Sequence, residues 1–145
     1  MLFRSKVASG GELARTMLAL RLVLSDEQGT MVFDEVDAGI GGSAAVAVAS
    51  ALSELGTRHQ VLAVTHLPQV AASAHTQVSV EKKVRAGSTV ATVRVLGADE
   101  RVGEIARMLS GGVADDSATA HARDLMEQLS RRGKSAGRPK GKPRR

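Results

Sequence analysis

Two apolar runs in this sequence end abruptly on side chains that can perform chemistry. Residues 30–33 are followed by Asp34 and Glu35, and residues 61–65 are followed by His66. A strand that is buried on both faces consists of continuous apolar residues, and the ligands of open α/β sheets bind at the carboxyl ends of the strands. The pattern therefore predicts a phosphate or metal site where both strands end.

The two adjacent carboxylates are suited to divide the work of phosphoryl transfer to water. That reaction needs one group that holds a metal and another that orients or activates the water. Adjacent strand residues point to opposite sides, so Asp34 is predicted to hold Mg²⁺ through water and Glu35 to address the attacking water. The alternative is that both begin a solvated loop, and that His66 is an ordinary loop histidine.

A short glycine motif precedes the first helical pattern and comprises Ser9, Gly10, Gly11 and Glu12. Bare backbone N–H groups and a hydroxyl at a helix N-terminus form a ready anion site. A capping box, in which Ser9 pairs with Glu12 three residues later, explains the same residues without a ligand. A near copy at residues 109–112 lies at a predicted helix C-terminus, where glycine caps and the dipole disfavours anions, so we interpret it as structural.

The elements around these motifs predict an α/β fold. A strand, a helix and a second strand joined by short links form a βαβ unit, so the two strands are parallel and their polar ends share one edge. An alternating pattern downstream predicts an antiparallel hairpin with one wet face. The predicted helices cover residues 11–24, 41–55, 68–74, 99–109 and 115–129, and the predicted strands cover residues 30–34, 61–65, 77–84 and 89–96.

The positive charge is confined to the C-terminal end. The whole chain carries a net charge of +5, but residues 1–130 hold 12 basic against 15 acidic residues, a net charge of −3. Glycine, proline and cations without large apolar residues predict a disordered tail at 131–145, after a folded domain at 1–130. The cations of this tail are candidate DNA contacts: Arg131, Arg132, Lys134, Arg138, Lys140, Lys142, Arg144 and Arg145.

Composition excludes several classes of protein. The chain of 145 residues has no Cys, so it has neither disulfides nor a thiolate metal site, which suits a reducing cytosol. No apolar run approaches the ~20 residues that a membrane span needs. The N-terminal segment is too short and too polar to be a secretory signal peptide. We therefore expect a cytoplasmic protein without a membrane partner.

Order and spacing of the motifs resemble the second half of an ABC-type ATPase head. In that family a Ser-Gly-Gly helix, a strand ending in Asp-Glu and a strand ending in His are the signature, Walker B and switch-histidine motifs, with a D-loop after Walker B. Transporter ATPases usually have proline after the catalytic Glu, and SMC proteins usually have an Asp-Ala-Ala-Leu-Asp type run. This chain has neither. Four stretches together resemble instead the RecN family of bacterial SMC-like DNA repair proteins: residues 6–15, 32–42, 64–71 and 104–111.

The resemblance, which covers about Lys6 to Leu129, implies a head that dimerises with ATP between two subunits. It implies that Ser9, Gly10 and Gly11 contact the γ-phosphate of nucleotide held by the opposite subunit, and that Glu12 belongs to the same nucleotide-binding signature. Asp34 would serve the metal, Glu35 would activate water, Asp37 would cross the dimer interface and His66 would sense the γ-phosphate. Its implied cofactors are ATP and Mg²⁺, and its implied function is recombinational repair of DNA double-strand breaks, which would associate the protein with the nucleoid.

One departure bears on mechanism. The sequence contains no Gly-x-x-x-x-Gly-Lys-Ser/Thr loop to hold the α- and β-phosphates. In RecN-like proteins that loop is N-terminal and is followed by a coiled coil. We therefore expect the C-terminal half of a P-loop ATPase head, whose partner is the missing N-terminal half and which does not hydrolyse ATP alone.

Two other interpretations stay open at this point. The chain is a head fragment of another SMC-like or ABC ATPase, although the proline-free Asp-Glu-Val-Asp run and the Gly-Ile-Gly-Gly run argue against it. Alternatively, it is a non-enzymatic nucleic-acid binder that uses its basic tail, in which case DNA binding is sensitive to salt and indifferent to ATP.

Overall fold

A computed structural model describes residues 9–24, 29–85 and 88–136, with only the backbone described at Arg85 and at 132–136. The order of helices and strands predicted from the sequence is confirmed. The helices are α1 (Gly10–Leu24), α2 (Gly42–Leu55), α3 (Pro68–Ser73), α4 (Ala98–Ser110) and α5 (Asp116–Ala136), and the strands are β1 (Thr30–Phe33), β2 (Gln60–Ala63), β3 (Val78–Arg85) and β4 (Ser88–Val95).

The βαβ unit forms as expected. β1 and β2 are parallel neighbours, with Thr30 opposite Gln60 and Phe33 opposite Ala63. The pairing continues one step further, because the N–H of Val64 donates to the carbonyl of Phe33 at 2.9 Å. Parallel strands in this register end together, so the residues that follow β1 and β2 emerge at one edge of the sheet.

Two apolar clusters hold the helices in place. The first joins α1, the sheet and α2, and its buried members include Leu18, Phe33, Val48 and Leu55. The second lies among α3, α4 and α5 around the fully buried Ile105. Small side chains on α2 and α3 let these helices approach closely. The first cluster fixes the start of α1 and the ends of both strands, which are the parts that carry the predicted site.

The expectation that β1 and β2 are buried on both faces is wrong for the described chain. Phe33 is buried in the first cluster, but Val32 is 68% exposed and Leu62 is 51% exposed. Alternate strand residues point to opposite faces, and only one face is packed by helices among the residues that the structure describes. The apolar side chains of α1 are also only partly covered: Leu18 is buried and Leu13 is exposed.

Between α1 and β1 lies a groove of about 570 Å³, which we call the open groove. Its walls combine apolar side chains, which a folded domain more often buries, with polar groups. The residues that line it are Gly10, Leu13, Ala14, Met17, Arg21 and 29–34. The open groove therefore reaches from the exposed stripe of α1 to Asp34 at the end of β1.

The β3–β4 hairpin pairs in antiparallel register, as predicted. The expectation of one packed face is wrong, because β4 is exposed along its whole described length. Val78 opposes Val95 and Val80 opposes Val93, so these side chains form an apolar ridge that no described element covers. An alternating pattern reports which face is apolar, and it does not report whether the covering element is present.

The last helix extends further than predicted. α5 continues to Ala136, past the boundary predicted at residue 130, and the division into a folded domain and a disordered tail stays a prediction. Arg131 forms an i,i+4 ion pair with Glu127, an arrangement that supports an exposed helix. Residues 137–145 lie outside the described residues. None of the described helices is long and apolar enough to cross a membrane.

Candidate functional site at the carboxyl edge of the sheet

The structure brings the two predicted chemical motifs to one edge. Asp34 and Glu35 follow β1 directly, and Thr65 and His66 follow β2 just beyond its last pair. Asp34 and Glu35 belong to the loop of residues 34–40, which we call the edge loop. The same loop contacts Thr65 and His66 through Asp37. Its conformation decides where each of these side chains lies.

Glu35 has an unusual backbone conformation. Its φ of 57° lies in the left-handed region, and it is the one non-glycine residue of the described chain with a positive φ. The conformation costs an L-residue roughly 1–2 kcal/mol, and local bonds offset part of this cost. The Glu35 N–H donates to Asp34 Oδ1 at 2.9 Å, and the Glu35 carbonyl accepts from the N–H of Ala38 at 3.0 Å. Backbone strain of this kind is concentrated at functional sites.

The glycine motif caps α1 in the way that the sequence predicts. The Ser9 N–H donates to Glu12 Oε2 at 3.0 Å, and the Glu12 N–H donates to Ser9 Oγ at 3.2 Å. This reciprocal pair is a capping box. The structural explanation of Ser9 and Glu12 is therefore confirmed, and their predicted contact with nucleotide stays a prediction.

The two glycines bring α1 against the edge loop. A Cβ at Gly10 would lie 2.5 Å from Glu35 Oε2, so a side chain there would displace the Glu35 carboxylate. A Cβ at Gly11 would lie 2.8 Å from the carbonyl oxygen of Ala38, which is backbone and does not move cheaply. Helix capping alone does not need glycine at these two positions. The close approach of α1 to the Ala38 carbonyl requires glycine at Gly11, whereas a Cβ at Gly10 would meet only the movable end of the Glu35 side chain.

Arg15 ties the same two segments together, and sequence reasoning did not identify it. Its Nη1 donates to the carbonyl oxygen of Ala38 at 2.9 Å. Arg15 lies four residues after Gly11, hence on the same face of α1. That spacing is the only signal in the sequence that would have associated it with the glycine motif. The bond joins α1 to the edge loop across 23 residues of sequence.

We expect Arg15→Ala to loosen the edge loop without unfolding the chain. The change removes one partly buried hydrogen bond from a charged donor, which typically contributes about 1.5–3 kcal/mol. The measurement is hydrogen exchange of the backbone amides at 36–40, compared with amides of α4 as an internal reference. Arg21→Ala, also on α1, is the control. Unchanged protection at 36–40 would contradict the role given to Arg15.

Asp37 is turned into the protein. Its side chain is 3% exposed, and its Oδ2 accepts the Thr65 hydroxyl proton and, at 3.1 Å, the His66 N–H. His66 Nδ1 lies 3.4 Å from the same oxygen. The sequence analysis did not identify Thr65. The expected role of Asp37 across a dimer interface stays a prediction, since the described contacts of its carboxylate lie within this chain.

The described residues fit a metal held by few protein ligands. They contain no group of three or more His, Asp or Glu side chains that would enclose a metal ion. Mg²⁺ is usually bound through one or two carboxylates together with water and substrate phosphates. Asp34, exposed at the end of β1, fits that mode of binding and does not fit an all-protein site.

The near copy of the glycine motif is structural, as interpreted. Gly111 ends α4 in the left-handed conformation with a φ of 70°. Its N–H and that of Gly112 both point back to the carbonyl of Arg107. This is a glycine C-cap, in which the carbonyl end of the helix faces the motif.

The chain is similar in sequence to bacterial proteins named DNA repair protein RecN. It is 58% identical to that of Deinococcus radiodurans over 122 residues, 50% identical to that of Mycobacterium tuberculosis over 128 residues and 44% identical to that of Bacillus subtilis over 126 residues. These matches include 84% to 86% of this chain. The region of these RecN proteins that matches the chain is C-terminal.

It spans about 22% of the length of these RecN relatives. No family model matches the chain. The α/β architecture described above is consistent with part of an SMC/ABC-type ATPase head, as the resemblance to RecN implies.

The structure describes only some of the basic residues of the predicted tail. Arg131 is exposed on α5 and pairs with Glu127. Arg132 and Lys134 lie on the same helix, but their side chains are not described. The other predicted DNA contacts lie outside the described residues: Arg138, Lys140, Lys142, Arg144 and Arg145.

Proposed function

We propose that this chain forms the C-terminal part of the ATPase head of a RecN-like protein that acts in recombinational repair of DNA double-strand breaks. The observation that carries the proposal is the carboxyl edge of the sheet. There the glycine motif of α1, the Asp34–Glu35 pair and His66 are held around one loop. ATP and Mg²⁺ are the proposed cofactors, and the cytoplasm with the nucleoid is the proposed location.

In this proposal each group at the edge has one task. Asp34 binds Mg²⁺ through water, Glu35 accepts a proton from the attacking water, and His66 contacts the γ-phosphate. Gly10 and Gly11 let α1 present its N-terminus to nucleotide held by a second head, where backbone N–H groups and the helix dipole favour an anion. In the dimer, the N-terminus of α1 of one head completes the nucleotide site of the other.

The partner that completes the head is proposed to be the N-terminal part of a RecN-like protein, which brings the phosphate loop. The open groove supports this proposal. It exposes Leu13, Met17 and Val32 beside the proposed metal ligand Asp34. An apolar groove next to the chemical groups is expected where the second half of the head packs. We call the complex of this chain with the N-terminal part of a RecN relative the reunited head.

The proposed dimer is tested by a bulky charge at the glycine motif. Ser9→Arg is expected to prevent ATP-dependent dimerisation of the reunited head, because the guanidinium would occupy the place of the opposing nucleotide. The measurement is the molar mass of the head with and without ATP, by light scattering. The side chain of Ser9 is exposed, and its described hydrogen bond is the cap of α1, so the change leaves the packing of the chain intact.

Two control variants separate this effect from others. Ser9→Ala removes the cap, which typically costs about 0.5–2 kcal/mol of stability, and it should still dimerise. Ser110→Arg places the same side chain in the near copy at the end of α4 and should also dimerise. Dimerisation of Ser9→Arg equal to that of both controls would exclude the proposed arrangement.

A second candidate function, DNA binding by the basic tail, is favoured by the segregation of charge. Shortening the chain after Ala136 removes five cations and leaves α5 intact. We expect weaker duplex binding and a shallower salt dependence, by up to about 0.9 in the log–log slope for each phosphate that the five cations neutralise. Without aromatic residues to stack on bases, the tail should not prefer single strands.

The measurement is fluorescence anisotropy with a duplex across a salt series, comparing residues 1–145 with residues 1–136. A chain of full length in which these five cations are Gln is the matched control for tail length. It should behave as the shortened chain does. Equal affinity and equal slopes for all three proteins would leave the tail as a solubilising end.

A further inference from the structure

Asp37 and the turn after β2 form a buried hydrogen-bond network at the carboxyl edge. Two groups donate hydrogen bonds to Asp37 Oδ2, the Thr65 hydroxyl and the His66 N–H, and the His66 ring nitrogen Nδ1 lies 3.4 Å from the same oxygen. Thr65 Oγ1 in turn accepts the N–H of Leu67 at 3.0 Å, at the residue that caps α3. The Asp37 carboxylate therefore links the edge loop to the turn that carries His66.

The position of this carboxylate has a chemical consequence for the imidazole. A carboxylate oxygen is a negatively charged acceptor, so at 3.4 Å it favours a proton on the ring nitrogen that faces it. The hydrogen bond made by one ring nitrogen decides the state of the other. With Nδ1 committed to Asp37, Nε2 is the nitrogen available to a ligand, and the imidazole itself is 72% exposed.

We propose that Asp37 is a positioning residue for His66, which it holds in the Nδ1–H form with Nε2 free to meet a ligand. This inference deepens the proposed function and rests on it in one respect, namely that the ligand is the γ-phosphate. Phosphate oxygens accept hydrogen bonds, so contact through Nε2 requires a second proton on the ring when the ligand binds, beside the Asp37 carboxylate. The orientation of the ring rests on the described contacts alone.

The network also explains why Asp37 is buried. A carboxylate removed from water is tolerated when hydrogen bonds replace its hydration, and the donors that replace it come from Thr65 and His66. Any movement of the edge loop would therefore be transmitted to His66. The edge loop is held on its other side by the bond from Arg15 to Ala38, so the glycine motif and His66 are joined through it.

The test is the tautomer of His66, read from the ¹⁵N chemical shifts of the imidazole nitrogens in the 145-residue chain. Spectra are recorded at a pH where the histidines are neutral. We expect the ratio of Nδ1–H to Nε2–H to be about tenfold higher for His66 than for the exposed His75 and His121, as an attraction of about 1.4 kcal/mol to the carboxylate corresponds to one decade. A free side chain favours the Nε2–H form.

The tautomer ratio of His66 is also measured in three variants. Asp37→Asn keeps an oxygen that accepts both donors and faces Nδ1, so it should keep the Nδ1–H form, whereas Asp37→Leu, similar in shape, should return His66 to the ratio of His75. Thr65→Val removes one donor and should leave the tautomer unchanged. If the original chain shows the same tautomer ratio at His66 as at His75 and His121, the proposal is overturned, and this result needs no variant to fold.

The reunited head distinguishes this inference from the proposed function. If both hold, Asp37→Leu, His66→Ala and the double variant lose ATP hydrolysis to the same extent, because one residue acts through the other. An Nδ1–H tautomer in a head that hydrolyses no ATP would leave the positioning role intact and refute the proposed function. Additive losses in an active head would refute the positioning role alone.

Discussion

Glu35→Gln in the reunited head is expected to abolish ATP hydrolysis and to leave ATP binding in place. The amide has the shape of the carboxylate and cannot take a proton from water. Losing a positioned general base typically costs about 10²–10⁴-fold in rate. The Glu35 carboxylate lies against Gly10 and is exposed at the edge of the sheet, so the change removes one chemical group and little packing.

Two readings of the same sample measure this effect. Phosphate release gives the rate of hydrolysis, and light scattering in the presence of ATP gives the dimer population, which should increase because the ATP-bound dimer no longer turns over. Glu54→Gln, an equivalent change at an exposed position of α2, is the control and should hydrolyse ATP normally. Hydrolysis by Glu35→Gln at close to the normal rate would show that Glu35 is not the base.

Val32→Asp is expected to prevent the reunited head from forming and to leave the chain itself folded. Val32 lines the open groove and is 68% exposed, so in the chain alone the new carboxylate is hydrated. In the reunited head it would be buried without a partner, and the effective penalty for such an ion is several kcal/mol. Association should therefore weaken by at least about 100-fold, since each 1.4 kcal/mol is a factor of ten.

The measurement is isothermal titration calorimetry of the chain with the N-terminal part, together with thermal unfolding of each variant alone. Val113→Asp is the matched control, because Val113 is 94% exposed and lies in the connection between α4 and α5. It should associate as the original chain does. Equal affinity of the two variants would show that the partner does not cover the open groove.

The topology of the site was predictable because it depends on patterns along the chain. The apolar runs that stop at Asp34 and His66, with a helix between them, required parallel strands and a shared edge. The register of β1 and β2 confirms that deduction. The capping box of Ser9 and Glu12 was equally local, because both of its partners lie within one turn.

The burial of these elements was not predictable from the same patterns. A continuous apolar run identifies side chains such as Val32 and Leu62 that favour burial, but their covering surface need not belong to the described residues. The helical extent of α5 was missed for another reason. A run of cations dominated the composition, whereas Arg131 pairs with Glu127 one turn earlier and continues the helix.

The contacts of the edge loop depend on distant parts of the sequence. Arg15 meets Ala38 across 23 residues, and Thr65 meets Asp37 across 28. No periodicity reports such pairs, and only the packing of α1 and the end of β2 against one loop brings them together. Asp37 was identified from its motif, but its buried position and its contact with His66 required the structure.

The most direct test of the account is phosphate release from ATP by this chain alone, by the N-terminal part of a RecN relative alone and by an equimolar mixture of the two. We expect background rates for each part and Mg²⁺-dependent hydrolysis for the mixture, because the phosphate loop and Glu35 come from different parts. Robust hydrolysis by this chain alone, lost in Glu35→Gln, would contradict it.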